Sequence, residues 1–552
     1  MRGFLLLLAG LSLIGLFAGL DRSDFADDRE ARDAAVARET MFRRDLLRPV
    51  LGGESQVDKP LLGYAHEMLG AALTPHSPAG PRTVKAIAAV LLVGLTGWFG
   101  ARHMGRWEGV LAAAVLVTTL ALPLAARSDG TQVVATLLGW VAVLAFADVL
   151  FRASSPGRLT VAYLALAAAL VIAGPLPALW PLAGLALGLV GARASHLWPR
   201  LHPAAGALVL AGLALPWYGA MAERMGPGFL ARALAFPYGS GPAAPWYAAP
   251  ARALGFLAVG FFPWTALLPE AALHVITRAP RPMPPRDPAP GAGGPSSALR
   301  IETLLLGWLA AGALAMSLLP AAPLSAVLPA LPAAALLVGR SLARAFDLEA
   351  VWKRALSQAS LLFAVTGSAG AVLLAVVSSR LAEGAPELRL VAAFLLLASW
   401  APALAVFLRR PRAAAALFAL PVAFGTPLVL WRTLPALEGY LSARPVAEAF
   451  AATAPPGAPL LVLGPVPPTL RLHAGGHLVE PEDLARGLRA IPRAGGFAYV
   501  AFRPERESEV AGAAAPFPIE ILVRGPAWAL ARVEEAGRTG AGPQSPAGGK
   551  RP

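Results

Sequence analysis

The chain contains no cysteine, which excludes a disulfide framework, a thiolate nucleophile, an iron–sulfur cluster and a Cys-type zinc site. Charge is scarce as well: Asp, Glu, Lys and Arg make up 14% of the 552 residues, against about 25% in ordinary soluble domains. With 56% apolar residues and 55 glycines besides, a large soluble enzyme is excluded and the composition is that of a membrane protein. Lysine is the scarcest charged residue, present only as Lys59, Lys85, Lys353 and Lys550. Heavy use of Ala, Arg, Gly and Pro fits a GC-rich genome, so arginine carries little information and each lysine is a marked choice. A net charge of +14 would point to nucleic acid in a soluble protein, but here its placement matters more than its total, and no nucleic-acid partner is expected.

What the chain has in abundance is apolar runs. Thirteen stand out: 3–20, 84–100, 110–126, 131–150, 160–173, 176–190, 205–221, 253–275, 302–319, 324–338, 357–377, 390–408 and 413–430. The first follows Arg2 and is too long for a signal peptide, with no clear small-x-small site before Asp21, so it reads as an uncleaved span. If the N-terminus is cytoplasmic, every inner loop carries at least two positive charges, from Arg102 and Arg106 through Arg409, Arg410 and Arg412. The short outer loops carry almost none, which is the asymmetry that sets orientation. Three polar regions then face outside: 21–82, 222–252 and everything from Arg432 onward.

The expected fold is an α-helical polytopic membrane protein of about 13 spans, with interfacial helices in its first outer loop and a small C-terminal periplasmic α/β domain. The transmembrane part covers 1–434, with an outer loop at 21–82 and a flexible cytoplasmic linker at 279–299, where MPPRDPAPGAGGPSS lacks apolar residues for a core. Residues 440–535 read as the α/β domain, because strand-like PLLVLG, FAYVAF, IEILV and WALARV alternate with a helix signal at PEDLARGLRA. Residues 536–552 read as a disordered tail.

The first outer loop carries the chemistry. In FADDREARDAAVARETMFRRDLL, Ala34, Ala37 and Met41 share one helical face while Arg32, Glu39 and Arg43 lie away from it, which suits an interfacial helix. Asp27, Asp28 and Glu30 fall at its start, where Asp27 as N-cap with Glu30 three residues later also makes a capping box. The second motif is VDKPLLGY, with Asp58, Lys59 and Tyr64; a solvated Asp58–Lys59 ion pair is the plain alternative to a site.

At these motifs the sequence resembles the lipid-linked sugar transferases of the GT-C class, the aminoarabinose transferase and protein mannosyltransferase superfamily (glycosyltransferase family 39-like). That family reads D-E-x-R-Y-A-x-x-x-R-E-M and then E-K-P-x-x-x-Y in its first outer loop. The counterparts are Glu30, Arg32, Ala34, Arg38 and Glu39, then Asp58, Lys59, Pro60 and Tyr64. Asp129 in ARSDGTQ matches the family's second acidic residue, and P-W-Y at Pro216, G-P-G-F at Gly226, F-P-W-T at Phe262 and SARPVAEAF at Ser442 follow in family order.

The resemblance implies an enzyme of the bacterial inner membrane, a hexosyl- or pentosyltransferase that takes a sugar from a polyprenyl-phosphate-linked donor to a lipid A-like glycolipid or a protein. Asp28, Asp129 and Glu30 would be the catalytic acids, with Asp27 as the alternative in register, because Arg29 stands where the family has aspartate. Lys59 and Arg32 would bind the donor phosphate, supported by Asp58 and Tyr64. No cofactor is obligatory, and scattered carboxylates do not specify a divalent metal.

The departures are as informative. The family K-G-P is Ala173, Gly174 and Pro175; its K-x-P-x-Y-x-L-P is AAPLSAVLP at 321–329; and Asp33 replaces the Tyr after Arg32. These losses motivate an alternative, a non-catalytic relative that binds lipid-linked sugars. A secondary transporter is a further alternative, opposed by span middles that carry no ionisable residues. Gly184, Gly188 and Gly191 read as helix packing, since no strand precedes them as a dinucleotide loop requires. His66 beside Glu67 lacks the second histidine of a zinc protease motif.

Overall fold

In the computed structural model the described residues are 2–44, 48–56, 59, 61–74, 77–128, 131–152, 155–226, 228–231, 246–277, 295–318, 324–346, 350–381, 385–474, 478–481, 484, 488, 497–515 and 517–534. They form two compact units, Met1–Ser23 with Val36–Pro435, and Asp24–Ala35 with Ala436–Pro552. Most of the linker at 279–299, most of the helix signal from Pro481 and the tail at 536–552 lie outside the described residues.

The first unit is helical. Among the described residues eight helices are long and apolar enough to cross a membrane, and a bent pair would make a ninth. Helix Thr131–Phe151 is apolar all round and buried along most of its length, as expected of a helix enclosed by others. Its Trp140 meets Trp308 edge to face at 5.5 Å. Close crossings rest on small residues: a Cβ on Gly109 would strike the backbone of Ala101, and one on Gly188 the backbone of Leu304. Gly184 likewise faces the Trp308 backbone, while Gly191 faces the Thr303 side chain, which is the packing use of small residues in membrane helices.

Three apolar runs differ from uninterrupted spans. The run 253–275 is two pieces, Ala249–Gly260 and Trp264–Thr277, bent by 112°, because Pro263 offers no N–H to continue the ladder. The run 110–126 stops at Val117; Thr118 bonds back to the Ala114 carbonyl at 2.6 Å and the Leu120 N–H turns to the Phe262 carbonyl at 2.9 Å. The first run is helical only over Arg2–Gly15. Beyond it, two buried guanidinium groups take up the carbonyls: Arg127 those of Leu16 and Ala18, Arg82 those of Leu20 and Ser23, the last at 2.8 Å.

Helix Asp28–Arg43 forms as the pattern indicated, but its buried stripe is not Ala34–Ala37–Met41. Met41 is exposed, and the buried positions are Glu30, Ala31, Asp33, Ala35, Val36, Ala37 and Thr40. A small hairpin, β1 (Val50–Leu51) with β2 (Glu54–Ser55), accounts for the far end: the Val50 N–H donates to Thr40 Oγ1 at 3.1 Å, and the Gly52 and Gly53 N–H groups donate to the Glu39 carboxylate. The covered face is therefore rotated toward Thr40.

Among the described residues the second unit holds a five-stranded mixed sheet, β3 (Leu460–Val462), β4 (Leu478–Val479), β5 (Phe497–Phe502), β6 (Ile519–Arg524) and β7 (Ala529–Glu534), in the order β4-β3-β5-β7-β6. β3 runs parallel to β4 and β5, while β7 is antiparallel to β5 and β6. Helix Arg444–Thr453 lays Val446 and Phe450 on one face with Leu460, Val462 and Tyr499. Leu461, Val500, Phe502 and Val510 fill the other. β5 is buried on both faces, which explains its continuous apolar run.

Candidate active site

The end of the motif VDKPLLGY forms a short 3-10 turn, Leu61–Tyr64, that leads into helix Ala65–Leu73. This turn folds Lys59 back over Tyr64, with the ammonium 4.9 Å from the ring centroid. Lys59 is buried and donates to Thr131 Oγ1 at 3.1 Å; that hydroxyl donates to the Gly63 carbonyl at 3.4 Å. A cation held this way faces a ring and a hydroxyl, at the start of helix Thr131–Phe151.

One turn further on, Glu67 is fully buried, its carboxylate 2.8 Å from Lys85 Nζ and 3.3 Å from His66 Nε2. Burial by itself would raise the Glu67 pKa, but the Lys85 charge, with His66 beside it, outweighs burial and holds the carboxyl down at about 2. Lys85, also fully buried, gives a second bond to the Ser128 carbonyl at 2.9 Å. Two of the four lysines thus grip the same stretch of chain, one at Ser128 and one at Thr131. Glycines allow the approach beneath them: a Cβ on Gly70 would meet the backbone of Gly80 and Pro81.

In the second unit, Asp27 caps helix Asp28–Arg43 by accepting the Arg29 N–H at 2.9 Å, so Asp27 has the helix-cap role that its position allowed. Asp28 opens the helix and is exposed to solvent, Glu30 is buried and Arg32 is half-buried. Asp24, upstream of these acids, is buried; it accepts a hydrogen bond from Ser442 Oγ, and His473 Nε2 donates to it at 2.9 Å. Since an ionised carboxylate only accepts, that bond requires Nε2–H. Burial raises the Asp24 pKa, but His473 and Ser442 offset it and hold the carboxyl below its ordinary value.

Of the expected site residues, the structure brings Lys59 and Tyr64 into contact; Asp58 and Asp129 lie outside the described residues. Glu67, Lys85, Asp24, Ser442 and His473 were not expected. The scarcity of lysine was the available signal for Lys85, and Glu67 stands three residues after the motif tyrosine. Among the described residues no group of three or more His, Asp or Glu could hold a metal ion.

No family model and no curated protein matches the chain. Among solved structures, ArnT from Cupriavidus metallidurans bound to undecaprenyl phosphate superposes with a TM-score of 0.75, covering 96% of this chain and 98% of that one at 18% identity. The fold is GT-C. The apo state of ArnT matches with the same TM-score at 17% identity. AglB from Archaeoglobus fulgidus, an archaeal oligosaccharyltransferase, gives 0.49 at 12% identity, covering 94% of this chain and 72% of that one. The GT-C fold with its many apolar helices makes this a multi-pass membrane protein.

Proposed function

We propose that this chain is a membrane glycosyltransferase that moves a sugar from a polyprenyl-phosphate-linked donor to a lipid or protein acceptor on the periplasmic face. The observation that carries the reading is the buried Lys59, held by Thr131 over Tyr64, in a chain that shares its fold with ArnT crystallised with undecaprenyl phosphate. A lipid-phosphate donor brings its own leaving group, so the protein needs a base for the acceptor and a cation for the phosphate.

In this reaction the acceptor oxygen or nitrogen bonds to the anomeric carbon as the bond from that carbon to the phosphate oxygen breaks. The electron pair leaves with polyprenyl phosphate, where Lys59 and Arg32 offset the developing charge. The acceptor proton passes to a carboxylate, which we assign to Asp28, with Asp129 and Glu30 orienting the acceptor. Asp27 is the weaker choice in register because its carboxylate caps the helix. The step needs no metal. In the full reading thirteen spans thread the bacterial inner membrane, with the N-terminus cytoplasmic and the α/β domain periplasmic.

The test is reconstitution of the purified chain in liposomes with polyprenyl-phosphate sugars, following release of free polyprenyl phosphate. Turnover by the wild type that falls by about 10²-fold or more in Asp28→Asn, the scale of a general base, supports the reading; equal release by both would refute the role of Asp28.

A further inference from the structure

We infer that Lys85, paired with Glu67, is a positioning residue that sets the location of the donor-phosphate cation Lys59. The inference rests on the proposed role of Lys59 and adds residues that the reaction scheme does not use.

The argument begins with two fully buried charges. Taking an ammonium and a carboxylate out of water is unfavourable, and apolar residues of like volume would serve helix packing as well or better. A retained pair of this kind invites a search for what its directional bonds hold in place. Lys85 Nζ lies 2.8 Å from Glu67 and 2.9 Å from the Ser128 carbonyl. It therefore ties helix Ala65–Leu73 to the chain just before helix Thr131–Phe151. A second tie joins the same two stretches, since Lys59 donates to Thr131 Oγ1 and Thr131 Oγ1 to the Gly63 carbonyl.

The two ties enclose a short circuit: Lys59 to Glu67 along the chain, across to Lys85, on to Ser128, then to Thr131 and back to Lys59. Lys85 holds the Ser128 carbonyl, three positions before Thr131, and Thr131 holds the Lys59 ammonium. His66 Nε2 lies 3.3 Å from the same Glu67 oxygen that meets Lys85. The backbones beneath are pressed together at Gly70 and Gly80, which leaves little room for the pair to adjust by sliding. Lys85 itself has no need to touch the donor.

The test is affinity for undecaprenyl phosphate, titrated into the full-length chain in nanodiscs and read by tryptophan fluorescence, with thermal stability followed in parallel. The double variant Glu67→Gln/Lys85→Met removes both charges together and so leaves no unpaired buried ion. It should stay folded while its Kd rises about tenfold, the value of one charge-assisted hydrogen bond transmitted to the cation. Added to Lys59→Met, the double substitution should bring no further rise, because its effect passes through Lys59; a merely structural defect would multiply with it.

Should the double variant fail to accumulate, Glu67→Gln alone keeps the Ser128 bond and should show a smaller rise in Kd. Wild-type affinity in the double variant, or in Glu67→Gln if only that one accumulates, overturns the inference. So does a rise that multiplies with Lys59→Met. Failure of the wild type to bind undecaprenyl phosphate removes the proposed role of Lys59 itself, a different result from normal wild-type binding, weak binding by Lys59→Met and normal binding by the double variant.

Discussion

Replacing Asp24 by alanine should loosen the segment that leads into the acids at Asp27, Asp28 and Glu30. Asp24 is 2% exposed, and its carboxylate accepts from both Ser442 Oγ and His473 Nε2. Each bond to a buried charge is worth about 1.5 kcal/mol at the lower end of its range. Losing two should favour opening of residues 24–35 by about 3 kcal/mol, or roughly 10²-fold. Hydrogen exchange at pH 7, read by mass spectrometry on peptides from 24–35, measures that opening directly. Ser442→Ala and His473→Ala should each give about a tenfold increase, one bond's share. The sign with pH follows from the lowered Asp24 pKa. A depressed carboxyl contributes stability above its unfolded value of 3.8 and loses it as pH falls through the lower folded value. The segment should therefore be as protected at pH 5 as at pH 7, with loosening confined to stronger acid. Exchange in Asp24→Ala within about threefold of wild type, under 1 kcal/mol, would refute the reasoning.

Lys59→Met should weaken undecaprenyl phosphate binding by about tenfold or more, as loss of a charge-assisted contact to phosphate requires; isothermal titration in nanodiscs checks it. Asp27→Asn keeps a capping oxygen and should leave both helix stability and transfer near wild type, whereas Asp28→Asn should fold normally and lose transfer; circular dichroism beside the transfer assay separates them. Gly70→Val places a side chain against the backbone of Gly80 and Pro81; overpacking should destabilise by about 1–3 kcal/mol, seen as a lower melting temperature in detergent. Reporter fusions after Arg412 and after Glu535 should report cytoplasm and periplasm respectively; the same side for both would sink the thirteen-span topology.

Much of the helical part was legible because apolar runs are local signals. Breaks were less so. Pro263 ends a helix, yet Pro216 and Pro402 sit inside helices Pro203–Met225 and Pro386–Phe407, so proline alone does not say where a run will bend. Thr118 and Thr119 end helix Arg106–Val117 by turning back on its own carbonyls, a choice that depends on Phe262 far along the chain. The core strand FAYVAF was readable from six apolar or small residues in a row. Lys59 and Tyr64 stood out by motif and by the rarity of lysine. The partner that holds Lys59 did not, because Thr131 follows it by 72 positions in sequence and their link exists only after folding. Asp24 hides for the same reason, its partners Ser442 and His473 lying over four hundred residues away. Helix Asp28–Arg43 misled in detail, since a stripe drawn through Ala34, Ala37 and Met41 took no account of the hairpin at Val50 that covers Thr40.

The most direct measurement of the central claim is mass spectrometry of envelope lipids and glycoproteins from a strain lacking this chain, complemented in turn with wild type, Asp28→Asn and Lys59→Met. The account predicts that one sugar substituent disappears on deletion and returns with the wild type. It should be reduced by about 10²-fold with Asp28→Asn, the scale of a lost general base, and sharply with Lys59→Met. An identical inventory of sugars with and without the chain, on lipids and proteins alike, would contradict it.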